Sequence, residues 1–157
     1  MEKYLLVLFS YAGLENLNNF LLNKLNSGDQ LFVRAVMLKG VPRLYSHLTS
    51  DVGFLGDKVA SDVEESVVDI YYENARDYLK EIEEKAAADG IEIDKDLIEN
   101  RQIDKLKSVI RKSDFDSVIV NFSNNEFVSD QLKEKQIKKW LNTIERNKYI
   151  FHDGKRG

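Results

Sequence analysis

One stretch constrains this chain more than any other: Ser117-Val118-Ile119-Val120-Asn121-Phe122-Ser123, followed at once by Asn124-Asn125-Glu126. A short apolar run rich in β-branched residues and bounded by polar turn formers reads as a strand buried on both faces. Helical patterns flank it on either side, so it belongs to a βαβ unit with parallel neighbours and helices covering the sheet above and below. Tyr4 to Ser10 is a second run of the same kind. In open sheets of this type a ligand sits beyond the carboxyl ends of the strands, where the strand order reverses. The residues placed there are Ser10 after the first strand and Ser123, Asn124 and Asn125 after the central one. These four are the candidate ligand-binding residues.

The remaining elements alternate as a doubly wound fold requires. Gly13 turns the chain into a helix with Leu14, Leu17, Leu21 and Leu25 on one face, and Asn26-Ser27-Gly28 stops it. Leu31 to Leu38 is the second strand, interrupted only by Arg34. Lys39 to Ser61 lacks periodicity and holds the single proline, Pro42. Its Arg43, Tyr45, His47 and Lys58 could touch an anion, although a surface loop with incidental polar residues is the simpler account of them. Ser61-Asp62-Val63-Glu64 has the form of a capping box. The helix after it buries Val63, Val67, Ile70, Tyr71, Ala75, Tyr78, Leu79, Ile82 and Ala86, and ends at Gly90.

Ile91 and Ile93, then Leu97, alternate with acidic residues, as in a half-exposed edge strand. Asn100 is placed to cap a helix carrying Ile103, Leu106, Val109 and Ile110. After the central strand, Ser129 or Asp130 is placed to cap a helix bearing Leu132, Ile137, Trp140, Leu141 and Ile144. Tyr149-Ile150-Phe151 is a short last strand, with His152 to Gly157 a frayed tail.

Composition limits the partners. The 157 residues, 43% hydrophobic and 32% charged, describe one folded domain, 1–157. A net charge of -4 argues against general nucleic-acid affinity. Without cysteine there is no disulfide, thiolate nucleophile or cysteine zinc site. Lys3 to Ala12 loosely imitates a secretory signal, but cleavage would remove the first core strand, so a cytoplasmic protein is expected. No run approaches the ~20 apolar residues of a spanning helix, and no membrane partner is expected. Glu65, Asp69, Glu73, Asp77 and Glu81 form an acidic ridge on the long helix. From Asp130 onward eight Lys or Arg face four Asp or Glu. Two solvated helix faces of opposite sign account for this, and complementary contact between subunits is the sharper alternative.

The layout resembles the universal stress protein family across nearly the whole chain, from Tyr4 to Phe151. Asp89-Gly90-Ile91-Glu92-Ile93, a helix, then Phe115-Asp116-Ser117-Val118-Ile119-Val120 is where it looks most similar. The resemblance implies a five-stranded, mainly parallel sheet in the order 3-2-1-4-5 with helices on both faces. It also implies edges at Ile91–Asp94 and Tyr149–Phe151, with a homodimer formed through the latter. An uncovered apolar edge strand is itself a template for pairing. The family's nucleotide-binding members carry an Asp at the end of the first strand, where this chain has Phe9-Ser10. After the fourth strand they carry spaced glycines, whose backbone donors cradle phosphate. Here Asn124-Asn125-Glu126-Phe127-Val128-Ser129 stands in that place, with no glycine between Gly90 and Gly154.

No Walker loop, G-x-G-x-x-G or G-x-S-x-G motif is present, and His47 and His152 stand alone without ligand spacing. The expectation is therefore a stress-response or signalling protein without enzymatic activity or strong ATP binding, and with no cofactor firmly implied. A nucleotide-binding module using side-chain donors, and a small hydrolase with its site under the Lys39–Ser61 loop, are the alternatives.

Overall fold

The computed structural model describes residues 1–37, 56–99, 102–112 and 115–156, with only the backbone described for 56–69, 71, 72, 112, 127 and 131. The Arg43, Tyr45 and His47 set and the Asn100 cap lie outside the described residues. Among the described residues six strands form one sheet: β1 (Lys3–Leu8), β2 (Gln30–Met37), β3 (Glu92–Glu99), β4 (Ser117–Phe122), β5 (Asn147–His152) and β6 (Lys155–Arg156). Their order is β3-β2-β1-β4-β5-β6. The first five run parallel, and β6 turns back antiparallel to β5. The fold is thus the expected doubly wound α/β type, with the order reversing between β1 and β4.

Among the described residues five helices accompany the sheet: α1 (Leu14–Lys24), α2 (Gly56–Ala88), α3 (Ile103–Lys112), α4 (Glu126–Gln131) and α5 (Glu134–Leu141). The unbroken apolar run of the first strand is explained by its two faces. Leu5, Val7 and Phe9 pack with Ile103, Leu106, Ile110, Ile137 and Leu141 on one side. Tyr4, Leu6 and Leu8 pack with Leu17, Leu21, Tyr78 and Ile82 on the other. Every residue of β4 is buried, as a central strand between β1 and β5 must be. Arg34, the one charge in β2, reaches the edge and pairs with Asp94 at 3.0 Å.

The structure corrects several boundaries. The long helix begins at Gly56, so Ser61–Glu64 lies inside it and does not start it. Ile70 is 56% exposed and does not join the buried stripe, which holds Ala75, Tyr78, Leu79, Ile82 and Ala86. A helix of 33 residues is roughly 50 Å long. That is about twice the reach of eight-residue strands such as β3.

The helix expected after β4 is two helices, broken at Lys133, whose φ is 55°. Asn125 caps the first of them, in place of Ser129 or Asp130.

The sheet has a sixth strand where a frayed tail was expected. Beyond Phe151, His152 completes β5, and Asp153-Gly154 turns into β6, which pairs at Phe151↔Arg156 and His152↔Lys155. Tyr149–Phe151 is therefore an uncovered edge only in part. β6 shields Phe151 and leaves Asn147 to Ile150 as the unpaired part among the described residues.

Candidate functional site at the strand-order switch

The chain ends β1 and β4 side by side, and the backbone keeps them together past the strands themselves. The N–H groups of Phe9 and Ser10 both donate to the Asn121 carbonyl, at 2.9 and 3.2 Å. The fully buried Asn121 side chain spans the same gap. Its Nδ2 donates to the Ser10 carbonyl at 3.0 Å and its Oδ1 accepts from the Gly154 N–H at 2.9 Å. Stacked Phe9 and Phe122 rings, 5.3 Å apart, form an apolar layer beneath.

The candidate residues are brought together here. A cleft of about 360 Å³ is lined by Ser10, Tyr11, Ala12, Asn74, Ser123, Asn125, Val128 and Asp153. Three of the four line it, Ser10 buried, Ser123 half-buried and Asn125 exposed, whereas the exposed Asn124 is not part of the lining. Among the described residues a larger hollow of about 780 Å³ lies elsewhere, between α2 and β3. It is an open groove of mixed charge, with Arg76, Lys80 and Lys95 against Glu73, Asp77 and Asp96.

Those donors already have partners inside the chain. The Ser10 hydroxyl donates to Asp153 Oδ1 at 2.5 Å and its oxygen accepts from the Ala12 N–H at 3.2 Å. The Asn124 N–H points to Asp153 Oδ2 at 3.3 Å. The Ser123 N–H lies between the two oxygens of Glu134, at 3.1 and 3.4 Å. The Asn125 N–H donates to Ser123 Oγ at 3.1 Å, and Asn125 Oδ1 accepts from the Val128 N–H at 3.1 Å. Two carboxylates, of Glu134 and Asp153, therefore hold the loop after β4.

Burial pushes the Glu134 carboxyl up to about 7, outweighing the Ser123 N–H, Lys138 and Ser129, which favour its charge. His152 is held below its ordinary value by burial and by Lys138. Its ring lies 5.8 Å from that of Phe122.

Asp153, Glu134 and Asn121 were not singled out by sequence reasoning, although each left a trace. Asp-Gly after an apolar strand is a strong hairpin signal, since both central residues of a type I′ turn need positive φ. Asp153 and Gly154 have φ of 47° and 80°. Glu134 stands three and seven residues before the buried Ile137 and Leu141, on the same helix stripe. Asn121 is the polar residue inside the most buried strand. Among the described residues no group of three or more acidic or histidine side chains could hold a metal ion, and of the acidic ridge only Glu73, Asp77 and Glu81 have described side chains. On that ridge Glu81 pairs with Lys85 at 2.9 Å.

The fold is similar to that of two solved structures, both of hypothetical proteins. Hypothetical protein MJ0577, described as a structural-genomics test case for structure-based assignment of biochemical function, superposes with a TM-score of 0.51. The two share 11% identity, covering 97% of this chain and 96% of that chain. Hypothetical protein PH0823 gives a TM-score of 0.48 and 15% identity over 96% and 95% of the two chains. No protein-family model matches the chain, and no curated protein matches it in sequence. The likeness to the first structure is one of fold alone. No helix among the described residues is long and apolar enough to cross a membrane.

Proposed function

We propose that this chain is a cytoplasmic, universal stress protein-like regulatory or signalling module that acts through protein contacts, without enzymatic activity and without strong ATP binding. The observation that carries the reading is the state of the switch-point donors. Phosphate binding relies on several convergent N–H groups that are free to turn toward the ligand. Here the Ser10 hydroxyl and the Asn124 N–H are bonded to the Asp153 carboxylate, and the Ser123 N–H to Glu134. A triphosphate would have to displace two acidic groups of the protein and then sit beside them. A hydrolytic role has the same difficulty, because Ser10 hydrogen-bonds directly to a carboxylate, with no histidine between them as general base.

The reading includes a homodimer formed through the outer edge of the sheet, now β6 together with Asn147 to Ile150. Calorimetry and thermal shift with magnesium-ATP test the central claim. Little or no stabilisation is expected, and submicromolar affinity, beyond about 8 kcal/mol of binding free energy, would establish a nucleotide-binding module in its place.

A further inference from the structure

The Asp153-Gly154 turn does more than connect two strands, because it is seated in the crevice between β1 and β4 from several sides. The Asp153 N–H donates to the Phe122 carbonyl at 2.8 Å, and the Gly154 N–H to Asn121 Oδ1 at 2.9 Å. Gly154 lies against Gly13: a Cβ on Gly154 would stand 2.1 Å from the Gly13 carbonyl oxygen, and one on Gly13 2.1 Å from that of Asp153. Only two glycines permit this approach. Asp153 itself holds φ at 47°, a conformation few non-glycine residues adopt.

What this arrangement delivers is one carboxylate to one point. Its two oxygens meet the Ser10 hydroxyl, from the end of β1, and the Asn124 N–H, from the loop after β4. The Ser10 oxygen is already engaged by the Ala12 N–H, which turns the hydroxyl hydrogen toward the anion. The two donors thus come from the two strand ends that diverge at the switch point, and they converge on a negative charge. We propose that the Ser10 hydroxyl and the Asn124 N–H form a latent anion site for a small phosphomonoester, occupied by the chain's own Asp153 carboxylate and opened when the turn withdraws. This rests on the functional reading above, and gives a physical reason for weak nucleotide binding: the competitor is covalently attached. A tethered group competes at an effective concentration set by its short linkage, which a free ligand must exceed.

Asp153→Gly removes the carboxylate and accepts the positive φ without strain, so the hairpin is expected to persist, checked by circular dichroism and melting. Titration with inorganic phosphate and with AMP at low ionic strength is then compared with the unaltered chain. The variant is expected to bind both at least about tenfold more tightly, and Ser10→Ala in the same background is expected to abolish the gain. A folded Asp153→Gly that binds no better than the parent overturns the proposal, as does a gain that survives Ser10→Ala. If the glycine variant does not fold, Asp153→Asn decides, since asparagine tolerates this backbone and lacks the charge. Phosphate should then shift the Asn124 amide resonance in the variant and not in the parent, and an unmoved resonance overturns the proposal. Tight magnesium-ATP binding by the unaltered chain contradicts the functional reading and the self-occupied site together, whereas weak binding by the unaltered chain with no gain in Asp153→Gly contradicts the latent site alone.

Discussion

Glu134 is a buried acid at the end of a sheet, and its environment fixes the sign of its effect on stability. Its pKa is raised from about 4.5 to about 7, chiefly by burial. Between those values the folded chain keeps a proton that the unfolded chain has lost, so stability falls as pH rises through that window. At about 1.4 kcal/mol per pH unit the loss is at most roughly 3.5 kcal/mol. Glu134→Gln retains an acceptor for the Ser123 N–H and should remove the slope. Denaturant titrations at about pH 5 and pH 7.5 check this, and parallel profiles for parent and variant would sink the assignment. Asp29 works in the opposite sense. It accepts the N–H groups of Glu2 and Asn26 at 3.0 and 2.8 Å, which hold its carboxyl below the ordinary range. Its contribution is complete above the unfolded pKa and fades as pH falls through the lowered one. Asn121 does not titrate but is equally constrained. Asn121→Ala leaves the Ser10 carbonyl and the Gly154 N–H without partners in a dry site, and should cost about 2–4 kcal/mol in equilibrium unfolding.

At the scale of elements, the C-terminal hairpin is the piece that changes how the sheet ends. Gly154→Ala puts a methyl group 2.1 Å from the Gly13 carbonyl oxygen, at a φ of 80°. Backbone on both sides blocks relaxation, so the variant should lose about 2 kcal/mol or more and exchange the Asp153 amide faster. A melting point and exchange rate equal to the parent's would show that the turn does not depend on this contact. The hairpin also shows where the sequence was legible and where it was not. Two-sided apolar runs announce β1 and β4, and acidic alternation announces β3 as an edge, because burial leaves a direct mark on residue type. The four switch-point residues follow from strand order alone. The partners that engage them do not, since Asp153 and Glu134 reach the site from elements 29 and 11 positions away from the amides they accept. Lys133 breaks the helix pattern through a backbone angle that no periodicity records.

For the whole molecule, the question is what the outer edge of the sheet does once β6 is in place. The acidic helix α2 lies on one face with α1, and α5, with Lys135, Lys138 and Lys139, lies on the other. The edge between these faces carries the exposed Lys155 and Arg156, the latter stacked over Phe20 and Tyr149 at 5.3 and 5.1 Å. In a two-fold dimer the same patch meets itself, so pairing through this edge sets each copy's basic β6 near that of its partner. Like charges at that range repel in dilute buffer and are screened as the Debye length shortens from about 10 Å at 0.1 M salt to about 3 Å at 1 M. A homodimer of this kind is therefore expected to tighten with salt. Lys155→Glu, which places an acid beside Arg156, should tighten it at low salt. Sedimentation at protein concentrations on the order of tens of micromolar, in about 0.05 and 0.5 M salt, reads both effects. A monomer at every salt concentration removes the homodimer from the proposed function. Association that weakens with salt assigns the contact instead to the acidic face of α2 against the basic face of α5, where opposite charges would do the joining.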